Sequence, residues 1–184
     1  MDDLVLLDAA LGVVADRGLN GLTHEAVDAA AGVPPGATEV SYPTRGALVE
    51  AVTRRCIERE LTMVSGPQDG VDPSPAGLAA ALGDFVRRAL DADRVVTLAR
   101  YQLQAEAART PSLRAAYAVG AGTVDTWVLD LVRRAGSPAP ERDLGIVANY
   151  VTGLVFHELA LPTPDLDPAD RVRELLDALG WPAA

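Results

Sequence analysis

The stretch from Leu22 to Val49 leaves the chain few ways to fold, because its punctuation marks out three helices at close intervals. Thr23 is a good N-cap: its hydroxyl can accept from an unpaired first-turn N–H. Leu22 before it and Val27 beyond it have the spacing of a hydrophobic staple. A helix is therefore expected from His24, carried forward by Ala29, Ala30 and Ala31 and stopped by Gly32, which can take the left-handed conformation. Gly32-Val33-Pro34 forms the turn. A second short helix is expected from about Pro35 and must end before Pro43. Thr44 then caps a longer helix from Arg45 to about Val64. Two short helices joined by a tight turn and followed by a long one form a helix-turn-helix.

Beyond it the same reading applies. Leu4, Leu7, Leu11 and Val14 give a first helix over about Asp3–Arg17 with Gly18 as its stop. Gly66 to Pro73 reads as a Gly/Pro-rich connection. Ser74-Pro75 starts a helix to about Leu90, Asp93 caps one to about Ala108, and Thr110-Pro111 begins one that Gly136 ends. Two more follow, from Glu141 to about Leu161 and from Asp167-Pro168 to Gly180. No run alternates with a period of two, so the fold class is all-α with about nine helices.

Ala31, Gly32, Val33, Gly36, Tyr42, Pro43, Thr44, Arg45, Ala47 and Leu48 stand in the order and spacing of one known frame. In that frame Ala-Gly-Val precedes a Gly-initiated recognition helix, and an aromatic residue, Pro, a hydroxyl residue and a basic residue follow it. The N-terminal region thereby resembles the TetR family of transcriptional regulators. The likeness is tight over the first 55 residues or so and limited to the helix pattern beyond. It implies a helix-turn-helix DNA-binding domain over residues 1–46, continued by the helix from 45, and a ligand-binding and dimerisation domain over 47–184. Double-stranded operator DNA, a small-molecule effector and a second copy of the chain are the implied partners, and repression relieved by the effector is the implied action.

By that resemblance, Ala37, Thr38, Glu39 and Ser41 face the groove, with Thr23, His24, Tyr42 and Arg45 near the phosphates. The chain departs from the family where a basic residue often stands, at Pro35, and where aromatic or polar residues often stand, at Glu39, Val40 and Ser41. No cation lies in the recognition helix. Residues 1–46 hold only Arg17 and Arg45 against Asp2, Asp3, Asp8, Asp16, Glu25, Asp28 and Glu39. Phosphate neutralisation supplies most non-specific affinity, so an acidic reading head is handicapped. Glu39 can accept from a cytosine amino group, which makes it a specificity residue that lowers total affinity. The other reading is a motif that serves only as a packing unit, in a ligand-binding protein that no longer reads DNA.

The candidate effector site comes from polar groups on apolar helix faces. Gln102 and Glu106 accompany Val95, Leu98 and Ala99. Trp127 belongs to a stripe with Leu113, Tyr117, Gly120, Val124 and Leu131, and His157 lies within Ile146, Tyr150, Leu154 and Leu161. An apolar cavity with a few convergent polar groups is what a small-molecule site requires, so Gln102, Glu106, Trp127, Tyr150 and His157 are its candidates. Each also has a plainer role as core, internally bonded or interface residue. Trp127 is expected to point inward, with Trp181 the outer tryptophan. Cys56 is the only cysteine and the two histidines are far apart in sequence, so no metal or cofactor site is expected. No nucleophile–base pair or phosphate loop supports an enzyme. Asp2 and Asp3 before the first apolar run fit neither a signal peptide nor a membrane span, and a cytoplasmic location is the expectation.

Overall fold

A computed structural model describes residues 3–64 and 71–181. Among them are nine α-helices and no strand: α1 (Asp3–Arg17), α2 (His24–Ala31), α3 (Ala37–Ser41), α4 (Arg45–Val64), α5 (Pro75–Leu90), α6 (Arg94–Ala107), α7 (Pro111–Arg134), α8 (Pro140–Ala160) and α9 (Pro168–Ala178). A short 3-10 turn, Leu19–Gly21, joins α1 to α2. Residues 66–70 of the expected Gly/Pro-rich connection lie outside the described residues.

The starts and stops follow the local chemistry. The hydroxyls of Thr23, Thr44 and Ser74 accept from Ala26, Ala47 and Gly77 N–H, and the Asp167 carboxylate accepts from Ala169 N–H. Gly32 ends α2 at φ 66°, where a Cβ would be strained, and Gly18, Gly136 and Gly180 follow their helices in the same way. The second helix of the motif starts at Ala37, two residues later than Pro35 suggests.

The chain divides into two compact units, Met1–Thr62 with Arg94–Gly120, and Met63–Asp93 with Ala121–Ala184. In the first, α1 packs on α2 and α6, and α2 on α3. Its core holds Leu6, Leu11, Val14, Leu22, Val27, Leu48, Val52 and Leu103. The buried face of α1 is therefore Leu6, Ala10, Leu11, Val13 and Val14, and Leu4 is 47% exposed. On α6 the buried face is Val96, Thr97, Ala99, Leu103 and Ala107, while Val95 is exposed.

In the second unit α5 packs on α9 and α8. A Cβ at Gly83 would lie 2.8 Å from Ala169, so the contact between α5 and α9 depends on the missing side chain. Val147, Val151 and Val155 form the buried face of α8, whereas Ile146, Phe156 and Leu161 remain exposed. Trp181, expected as the outer tryptophan, is buried: its indole N–H donates to Asp143 Oδ2 at 2.8 Å. Asp143 also accepts from Ser137 Oγ (2.6 Å) and Arg142 Nε (2.7 Å), which ties the chain end to the first turn of α8. Trp181→Phe leaves a buried carboxylate one donor short and is expected to cost about 1–3 kcal/mol of stability, read as a lower urea midpoint at unchanged slope.

Candidate DNA-reading face and effector site

Five residues cannot hold themselves in place as a helix, and the N-cap of α3 is Gly36, which has no side chain to cap it. Asp28 of α2 does so from outside. Its carboxylate accepts from Gly36 N–H at 2.7 Å, Thr38 N–H at 2.8 Å and Thr38 Oγ1 at 2.5 Å. The negative charge also sits at the positive end of α3. These bonds, that of the Thr38 hydroxyl first, hold the Asp28 carboxyl below the usual aspartate range, against burial, which acts to raise it. Sequence reasoning missed Asp28; the signal for it was a helix start lacking a cap of its own.

Thr38 is consequently an internal residue, 0% exposed, and its hydroxyl is bonded to Asp28 instead of standing on the groove-facing side. Glu39, Val40 and Ser41 form the exposed side of α3, with Ala37 partly covered. Ser41 Oγ donates to Asp3 Oδ1 at 3.1 Å. His24 Nε2 lies 2.7 Å from the Tyr42 carbonyl, the geometry of a ring N–H tying α2 to the end of α3. Tyr42 is partly buried, and burial with nearby Asp3 raises its phenol. Arg45 Nη2 donates to Leu19 O at 2.7 Å, fixing the 3-10 turn. Thr23, His24 and Arg45 thus all make bonds that hold the motif together.

The acidic count changes meaning with these contacts. Asp28 points inward. Asp8 pairs with Arg55 at 2.7 and 2.9 Å and with Arg59 at 3.4 Å, both cations lying outside residues 1–46. The Arg55 hydrogen bond is the main reason that its carboxyl is held low. Among the described residues, Asp3, which accepts from Ser41, and the exposed Glu39 are acids at the outward side of α3.

The effector candidates divide between the units. Gln102 and Glu106 stand one turn apart on α6 in the first. Gln102 is exposed, with its side chain beside Gly18, and Glu106 accepts from Thr110 Oγ1 at 2.9 Å and pairs with Arg109. The Thr110 and Arg109 bonds lower the Glu106 carboxyl, and Arg45 adds to this through space. Trp127, Tyr150 and His157 belong to the second unit. His157 is exposed and Tyr150 partly so; the Trp127 Nε1–H is enclosed and has no acceptor among the described residues.

A polar cluster in the first unit went unread in the sequence. Glu60 Oε1 and Arg100 Nη1 pair at 3.2 Å, with the Arg100 guanidinium 4.4 Å from the centre of the Tyr101 ring. Burial raises the Glu60 carboxyl, and Arg100 opposes it. Burial pushes the Cys56 thiol up to about 12 and raises the Tyr117 phenol as well. Cys56 and Glu60 are four apart, one face of a helix, which was the available signal. Among the described residues no acidic, histidine and cysteine side chains group as a metal site, and no helix is long and apolar enough to cross a membrane.

Comparison with known proteins agrees with the fold. No curated protein sequence matches the chain. A solved structure of multidrug binding protein EbrR in complex with imidazole is 28% identical, with a TM-score of 0.68 over 98% of this chain and 94% of that one. A TetR-family member from Streptomyces coelicolor A3 is 28% identical over 97% of each chain, with a TM-score of 0.71. A transcriptional regulator from Rhodococcus sp. Rha1 is 24% identical, with a TM-score of 0.76 over 97% of this chain and 94% of that one. Residues 73–180 match the family model described as tetracyclin repressor-like, C-terminal domain. That match spans more than half of the chain and stands behind a helix-turn-helix, so the chain belongs to the TetR family of transcriptional regulators.

Proposed function

We propose that the protein is a homodimeric repressor that binds a palindromic operator through residues 1–46 and releases it when a small molecule occupies the region of 47–184. The observation that carries the reading is a recognition helix locked at its start by Asp28, with Glu39, Val40 and Ser41 turned outward. Ala37, Tyr42, Thr23, His24 and Arg45 surround that surface as further candidate contacts. Dimerisation through α8 and α9 is supported by the exposed Ile146, Phe156 and Leu161. Two-fold symmetry then sets the recognition helices one duplex turn apart, roughly 34–36 Å. Sedimentation at micromolar concentration is expected to give a dimer; a monomer overturns this part.

Release follows from linkage. An effector that prefers the conformer with badly spaced reading heads lowers operator affinity by its preference ratio. Trp127, whose enclosed N–H lacks an acceptor, is the best supported of the ligand candidates Gln102, Glu106, Trp127, Tyr150 and His157. Imidazole, proflavin and ethidium, the molecules bound in the EbrR structures, are the first probes to titrate against its fluorescence.

The test of DNA reading is titration of labelled duplex at two salt concentrations with native protein and Glu39→Gln. Removing the exposed charge is expected to tighten binding to arbitrary duplex and, where Glu39 accepts from cytosine, to flatten preference among sites. Asp3 and Glu39 beside α3 favour a second reading, a ligand-binding protein of this fold without DNA binding. Folded dimers that bind no duplex at low salt select that reading.

A further inference from the structure

The exposed side of α3 has an unusual chemical vocabulary for a helix that is to enter a major groove. Thr38 is turned inward, the Ser41 hydroxyl donates to Asp3, and no arginine, lysine, asparagine or glutamine lies between Ala37 and Ser41. The groups left facing outward are a carboxylate and an isopropyl group. Val40 is 84% exposed, which gains nothing in stability for a branched apolar side chain at the middle of a short helix. A guanine edge offers acceptors at N7 and O6, and neither Glu39 nor Val40 can donate to them. A thymine offers a C5-methyl group, and a cytosine an amino donor.

We infer that Val40 reads a thymine C5-methyl in each operator half-site, together with a base whose amino group Glu39 accepts from. The inference rests on the proposal that α3 enters DNA. Glu39 and Val40 are consecutive and both exposed on α3, and their side chains stand about 100° apart around the helix axis, so the two contacts fall on different bases of the same half-site. Asp28 supports the readout, because it holds the start of α3 through the Gly36 and Thr38 N–H groups. Apolar contact, like acceptance from a base amino group, is a base contact that an acidic reading head makes without needing a cation.

The test uses the full-length dimer. Duplexes retained from a random pool are sequenced, and each thymine of the recovered half-site is replaced singly by deoxyuridine, which removes the methyl group and nothing else. One thymine per half-site is expected to be sensitive, with binding weakened about fourfold for the loss of one buried methyl. Val40→Ala is expected to bind the thymine and deoxyuridine duplexes equally, and Val40 is exposed enough for this variant to fold as the native chain does. Retention of a duplex with no thymine sensitive to the exchange overturns the inference alone. Sensitivity that persists in Val40→Ala overturns it equally. A pool from which no duplex is retained overturns the DNA-reading proposal and this inference together.

Discussion

Asp28→Ala is expected to abolish sequence-selective DNA binding while leaving most of the helical content intact. The substitution removes the acceptor of two backbone N–H groups and one hydroxyl at the start of α3, and alanine offers nothing in exchange. Thr38 is fully buried, so its hydroxyl cannot turn to water without displacing the helix. Hydrogen exchange at Gly36 and Thr38 should accelerate by at least roughly tenfold, the effect of one unsatisfied buried donor. Far-UV circular dichroism should change little, since α3 is five residues of the chain. Unchanged protection at those two amides would falsify the locking role. The same contact has a pH signature. The Asp28 carboxyl is held low in the fold, so its contribution is present above the unfolded-state value and is lost as pH falls through the folded one. Acidification below the ordinary aspartate range should therefore loosen α3.

The second large effect is expected at Asp143. Burial alone would raise its carboxyl, but Ser137, Arg142 and Trp181 outweigh burial and hold it below the usual range. Asp143→Ala strands the buried Trp181 N–H and the Ser137 hydroxyl, while the half-exposed Arg142 recovers water. A loss of about 3 kcal/mol follows from two unsatisfied partners, or roughly 6–12 °C in melting midpoint for a chain of this size. Calorimetry on Asp143→Ala and Asp143→Asn measures it; asparagine retains a carbonyl for the indole and should lose less. A shift indistinguishable from zero in the alanine variant would mean that the chain end is held by packing alone.

Helix boundaries were legible in the sequence because each is set by a few adjacent residues. Thr23, Ser74-Pro75 and Asp167-Pro168 act within one turn, and so do Gly32 and Gly180. The buried faces were less legible. On α1, Leu4, Leu6, Leu7 and Leu11 surround the axis, and a helix apolar on most sides does not say which side will meet α2 and α6. The same ambiguity moved the buried face of α8 from Ile146 and Leu161 to Val147, Val151 and Val155. The orientation of Thr38 was beyond spacing arguments altogether, because a carboxylate ten residues away decides it. Trp181 lies near the end of the chain, where sequence position suggests exposure, yet Asp143 gives its indole a buried partner. The motif was readable as a shape, and the side chains that set its surface chemistry were readable only once α2 and α3 were in contact.

Cys56 makes the first unit self-reporting. Its side chain is fully enclosed and its thiol is pushed up to about 12, so in the closed fold an alkylating reagent meets neither an accessible sulfur nor a thiolate. Modification then counts only excursions in which α4 separates from its neighbours. As the chain has no other cysteine, every adduct arises from that event, and the labelling rate at saturating reagent is an opening frequency. Measured with and without operator duplex or a candidate effector, that one number is a stopwatch for how each partner quiets or stirs the reading half of the molecule.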